Sequence, residues 1–176
     1  MTPFHDRRDC GVTVLELAVV VVIIGILASM LLPIFGGIQE RALEATCFAN
    51  LKNLYVGAAS YLHANGSWPQ IPNTLLASDP KSYAHRWVDV LKPYGIPHQT
   101  WICPTIQRKF AQPMSTIDDN DHYRVDYLGM AFDEKPSSPY PEKPFPWFVE
   151  QAGFHGRGNL MILSNGTTTT LADMSR

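Results

Sequence analysis

The chain has 176 residues, with 14 Lys+Arg against 16 Asp+Glu and a formal net charge of −2, so it has room for one ordinary domain or a small domain with an appendage. No basic run exceeds Arg7-Arg8 or Arg108-Lys109, which excludes the electrostatic footprint of a nucleic-acid binder. The 45% apolar content is ordinary but unevenly spread, and that unevenness divides the chain.

Residues 1–11 are polar and charged and end in Gly11, after which Val12 to Leu32 carries 17 apolar side chains in 21 positions. At about 1.5 Å per residue this run makes roughly 31 Å of helix, the thickness of a hydrocarbon core of about 30 Å. A single crossing of a lipid bilayer is therefore predicted over 12–32. Arg7 and Arg8 precede the run, whereas neutral residues and then Glu40, Arg41 and Glu44 follow it, so the Lys/Arg bias puts the N-terminus in the cytoplasm and the body of the chain outside. Glu16 stands fifth in the apolar run. A carboxylate there costs up to about 3 kcal/mol at mid-bilayer and less near an end, so it either finds a partner or snorkels to the interface.

From 33 to 65 the pattern becomes amphipathic, with Phe48, Leu51, Tyr55, Ala58 and Leu62 at helical spacing. Pro33 and Gly36-Gly37 predict a local weakening, and Asn65-Gly66 supplies the stop. Residues 66–176 form the predicted globular head. Pro69 to Pro80 reads as loop, and Tyr83 to Leu91 as a short helix with Trp87, Val88 and Leu91 in the core. Pro97 to Pro146 reads as irregular apart from a short strand over 122–127. Asn159–Leu163 and Thr167–Leu171 flank Ser164-Asn165-Gly166, a strong hairpin signal. The expected fold is α+β, one long N-terminal helix packed on a small antiparallel sheet. No histidine pairs with a serine or cysteine in a recognisable nucleophile motif, so no enzyme is expected.

Gly11-Val12-Thr13-Val14-Leu15-Glu16, preceded by a short charged leader and followed by Pro33, closely resembles the processing site of type IV prepilins and type II secretion pseudopilins. Asn65-Gly66-Ser67-Trp68-Pro69 is similar to the segment closing the first helix of many major pseudopilins. The resemblance implies a leader over 1–11, cleavage after Gly11 by a prepilin peptidase, and methylation of the new amine of Val12, although Val12 departs from the usual Phe or Met. It implies that Glu16 pairs with the N-terminal amine of a neighbouring subunit and that Pro33 belongs to the assembling helix. The implied partners are the peptidase, other pilin-like subunits and an inner-membrane assembly platform. The implied function is a structural subunit of a type II secretion pseudopilus or type IV pilus-like filament, with a periplasmic head. Two alternatives are a secretory signal peptide cut near Ile26-Leu27-Ala28, which Glu16 and the apolar residues after Ala28 oppose, and a membrane-anchored binding module or enzyme that never polymerises.

Cys10 lies in the leader, which leaves Cys47 and Cys103 beyond the membrane, where disulfides persist. The segments Cys47-Phe48-Ala49-Asn50-Leu51-Lys52 and Cys103-Pro104-Thr105 are similar to ones recurring in a prepilin-like group, and a Cys47–Cys103 bridge is the favoured expectation. Two buried free thiols are the alternative, and a metal site ranks last because no Cys-x-x-Cys or matching His spacing accompanies them. Asp118, Asp119, Asp121 and Asp126, with Asn120, are calcium candidates, because calcium takes six to eight oxygen ligands and the resemblance to major secretion pseudopilins implies calcium in a late loop. Their spacing fits no EF-hand register and reads better as a solvated acidic loop, so no cofactor is expected. His155, nine residues, then Asn165-Gly166 is similar to a C-terminal motif of that group, a His, nine residues and Asp-Gly, with Asn165 in place of the acid.

Overall fold

The computed structural model describes residues 13–110, 123–130, 143–156 and 158–174, without the side chains of 31–35 and 73. It divides after Glu40 into two compact units, Met1–Glu40 and Arg41–Arg176. One helix, α1 (Val14–Asn65), contributes to both.

In the first unit the described apolar side chains of α1 are exposed, Val14 85% and Leu15 75% and Val19 to Ile24 all half exposed or more. Among the described residues no helix is both long and apolar enough to cross a membrane. The apolar side chains described there run from Val14 to Met30, a helical rise of about 26 Å against a hydrocarbon core of about 30 Å. The backbone of α1 continues as helix through Pro33 and Gly36-Gly37. Thr13 and Glu16 open the helix as a reciprocal cap: the Glu16 N–H donates to Thr13 Oγ1 (3.2 Å), and the Thr13 N–H donates to Glu16 Oε2 (2.9 Å).

In the second unit Cys47, Leu51, Leu54, Ala58 and Leu62 line the buried face of α1, with Phe48 and Tyr55 half-buried beside them. The helix stops as expected: Gly66 takes φ 70° and its N–H donates to the Leu62 carbonyl at 2.8 Å. The segment 69–80, expected to be loop, contains α2 (Asn73–Ser78). The following helix, α3, starts earlier than expected, spanning Pro80–Leu91 with Asp79 as N-cap and Pro80 in its first turn. Tyr83, Ala84, Trp87, Val88 and Leu91 form its buried face.

The segment from Pro97 is less irregular than its composition suggests. It holds a 3-10 turn, His98–Trp101, and α4 (Pro104–Lys109). Of the strand expected over 122–127, residue 122 lies outside the described residues and 123–126 are not strand; β1 is Tyr127–Gly129, because pairing with β2 (Pro146–Glu150) fixes the register, Tyr127 opposite Glu150 and Gly129 opposite Phe148. Then β3 (Leu160–Leu163) and β4 (Thr168–Thr170) form the predicted hairpin. The sheet is antiparallel in the order β1-β2-β3-β4, and α5 (Leu171–Met174) follows it. The hairpin loop is Ser164-Asn165-Gly166, with Gly166 at φ 78° and the Leu163 N–H donating to the Thr167 carbonyl at 2.9 Å, the three-residue turn that asks for glycine at its last position.

An aromatic core joins helix to sheet. Tyr55 stacks on Trp147 at 4.9 Å between ring centroids, and Trp68 lies 4.6 Å from Trp147 and 6.2 Å from Trp87. Trp68, Trp87, Trp101 and Trp147 are all buried. Burial of such side chains, at about 1.5–3 kcal/mol or more each, is the main force holding α1 and α3 to the sheet.

Candidate functional site

Gly11 and Val12 lie outside the described residues, as do Asp118, Asp119 and Asp121. Glu16 sits in the first turn of α1 with its carboxylate turned back on Thr13, whose hydroxyl also donates to Glu16 Oε2 at 2.9 Å. That cap was readable as Thr-x-x-Glu ahead of an apolar run, a signal that the apolar context overshadowed. Pro33 lies within the helical backbone. Asp126, grouped in the sequence with the loop acids, is instead buried, ion-paired with the Arg124 guanidinium (3.2 Å) and accepting the Cys103 N–H (2.8 Å). Burial, opposed by Arg124 and that N–H, pushes its carboxyl up to about 6.

The head brings four chemistry-bearing side chains to one point. Cys47 comes from α1, Cys103 from the residue before α4, Glu150 from the end of β2 and His155 from the connection between β2 and β3. Their ligand atoms all lie within 4.8 Å of one another. The His155 Nε2 is 3.0 Å from Glu150 Oε1 and 3.5 Å from the Cys103 sulfur, and the Cys47 thiol donates to Thr105 Oγ1 at 3.9 Å. The imidazole and carboxylate side chains are 2% and 0% exposed.

Against the expected bridge, Cys47 and Cys103 are free thiols in this structure, both buried in the cluster. The fold gathers from four segments a donor set that no local motif contains, so the spacing of residues in the sequence does not by itself decide whether a metal binds. Glu150 was not anticipated: it lies in an aromatic strand, Trp147-Phe148-Val149-Glu150, with no nearby ligand residue in its own segment.

The electrostatics follow from crowding. The hydrogen bond to Cys47, and then burial, push the Cys103 thiol well above its ordinary value, while that same bond lowers Cys47. Burial works against a charged His155, but hydrogen bonds to Cys103 and Glu150 outweigh it and lift the imidazole to about 9. The scaffold around the cluster is tied down. Asn159 Nδ2 donates to the Glu150 carbonyl at 2.6 Å and the Leu160 N–H to Glu150 Oε2 at 3.4 Å, while the Tyr127 hydroxyl donates to the Cys47 carbonyl at 3.5 Å. The Asn165-Gly166 turn at the other end of the His155 motif serves the hairpin, the Asn165 carboxamide oxygen accepting the Thr167 N–H at 3.0 Å.

Residues 6–32 match the prokaryotic N-terminal methylation motif. Over 70 residues the chain is 35% identical to the type IV major pilin protein PilA of Myxococcus xanthus, a stretch covering 40% of this chain and 32% of that relative. The match thus spans about a third of the relative's length. No solved structure matches the chain.

Proposed function

The N-terminal segment of this chain is of the prepilin type, and from that premise we propose that the protein is a structural subunit of a pilus or pseudopilus-like filament. The observation that carries the reading is the coincidence of the methylation motif with a helix whose apolar surface is uncovered. In this reading a prepilin peptidase cuts after Gly11, Val12 becomes the methylated N-terminus, and 12–32 holds the subunit in the inner membrane with its head in the periplasm. An assembly platform then draws it into a filament, either a type II secretion pseudopilus or a type IV pilus. The subunit acts mechanically, not as an enzyme.

Lipid and packed neighbouring helices offer an exposed Val, Leu and Ile surface nearly the same apolar environment, so moving from bilayer to filament gains little from the hydrophobic effect. Register must come from polar groups. A buried carboxylate and a buried amine are each costly alone and offset one another only when they meet, which gives Glu16 and the amine of a neighbouring subunit's first residue their role.

The test is the mass of the N-terminal peptide of the mature protein, with filaments sought in sheared surface fractions. A methylated chain starting at Val12 is expected, together with Gly11→Ala protein that keeps its leader. A chain starting at Ser29, or normal processing of Gly11→Ala, overturns the reading.

A further inference from the structure

We propose that Cys47, Cys103, Glu150 and His155 together bind one zinc ion, which holds the head together where a disulfide was expected. The inference concerns the head alone and does not depend on the filament reading.

Zinc takes four ligands at about 2.3 Å for sulfur and about 2.0–2.2 Å for imidazole nitrogen and carboxylate oxygen. A tetrahedron built with those lengths separates sulfur from nitrogen by about 3.5 Å and nitrogen from oxygen by about 3.4 Å. The observed separations are 3.5 Å for Cys103 Sγ to His155 Nε2 and 3.0 Å for His155 Nε2 to Glu150 Oε1, with every ligand atom within 4.8 Å of the others. The two closest pairs lie within a few tenths of an ångström of these lengths, and separations as wide as 4.8 Å would close by about 1 Å on binding, to the roughly 3.8 Å or less between ligand atoms of such a tetrahedron.

The donor set selects the ion. Two thiolates with an imidazole suit zinc, whereas calcium and magnesium require oxygen ligands throughout. On binding, both thiols and the imidazolium Nε2 lose their protons to solvent, so that the imidazole binds through neutral Nε2 and two thiolates and one carboxylate face a divalent cation. The Leu160 N–H, directed at Glu150 Oε2, faces the surplus negative charge. Four protein ligands close the coordination sphere, so the ion has no position for substrate and its work is structural.

That work is a cross-link. The four ligands stand on α1, ahead of α4, at the end of β2 and in the connection to β3, segments that only the tertiary fold brings together. Without a cation the same point must bury a carboxylate, an imidazole and two thiols against each other, and only the first two make an ion pair.

The test uses the full chain, purified in detergent without chelator. Total metal analysis is expected to give one zinc per chain, and unfolding in chelator should release the thiols of Cys47 and Cys103, with that of Cys10 in addition where the leader is retained. After chelation, Co²⁺ titration should produce, at one equivalent, the visible bands of tetrahedral cobalt and a near-ultraviolet thiolate-to-cobalt band. Cys47→Ser and Cys103→Ser should each weaken the charge-transfer band, and the double variant should abolish it. Glu150→Gln should keep that band but weaken affinity at least about tenfold, the smaller end of the effect seen when even the support of a metal ligand is removed. Tryptophan fluorescence confirms that each variant is folded. A Cys47–Cys103 disulfide in the purified chain, or free thiols at both residues with uptake of neither Zn²⁺ nor Co²⁺ by folded wild-type protein, overturns the proposal.

Discussion

Gly129 lies against the indole of Trp87 so closely that a Cβ at Gly129 would come within 2.2 Å of Cζ2 and 2.4 Å of Cη2. Both atoms belong to a ring packed at 5.6 Å from Phe148, so the indole has little freedom to retreat, and the Tyr83 hydroxyl closes the contact by donating to the Gly129 carbonyl at 3.0 Å. Gly129→Ala should destabilise the head by about 1–3 kcal/mol, the cost of overpacking a filled core. Trp87→Phe removes the atoms in conflict, so the double variant should lose less than the sum of the singles, with a coupling above about 0.5 kcal/mol. Unfolding followed by the fluorescence of the buried tryptophans measures all three, and additive losses would show that the contact is not the cause.

Asp79 caps α3, its carboxylate accepting the Ser82 N–H at 3.0 Å. Asp79→Ala should cost about 0.5–2 kcal/mol, and Asp79→Asn much less, since asparagine caps as well. The pH dependence has a definite sign. Hydrogen bonds from the Ser82 hydroxyl and backbone N–H hold this carboxyl below its ordinary 3.8, so its contribution is present above 3.8 and is lost as pH falls through the lower folded value. Denaturant melts at neutral and acid pH should therefore show the gap between wild type and Asp79→Ala narrowing on acidification.

Asn165 and Gly166 separate two roles in one turn. Gly166 holds φ 78°, and a Cβ there would meet the Tyr55 ring at 3.3 Å. Gly166→Ala should cost about 1–2 kcal/mol from the left-handed backbone, and relaxation of Tyr55 sets how much is added. Asn165→Asp keeps the oxygen that accepts the Thr167 N–H and should change stability by less than about 0.5 kcal/mol. A larger effect in the second variant would assign the side chain a function beyond the turn.

Thr13 and Glu16 distinguish helix initiation from assembly. Thr13→Ala and Glu16→Gln both weaken the reciprocal cap, by about 0.5–2 kcal/mol for the threonine, but only the second removes the charge required by a neighbour's amine. At matched expression and processing, Glu16→Gln and Glu16→Leu should abolish filaments or crosslinked oligomers while Thr13→Ala retains them. Equal loss in the threonine variant would reduce Glu16 to a cap.

What the sequence by itself determined is local. The apolar run, the stop at Asn65-Gly66, the core face of α3 and the β3–β4 hairpin were legible because each rests on a short-range periodicity or on a turn whose backbone needs glycine. The long helix packed on a small antiparallel sheet followed from those. The tertiary structure decided the rest. β2 carries Trp147 and Phe148 buried side by side, which hides the alternation that marks a half-exposed strand, and β1 lies at Tyr127–Gly129 because pairing with β2 sets its register. Cys47, Cys103, Glu150 and His155 belong to four segments whose approach is fixed by packing of the aromatic core and by strand pairing. A ligand-spacing rule recognises a site built within one loop; here the distances that matter exist only after the chain has folded.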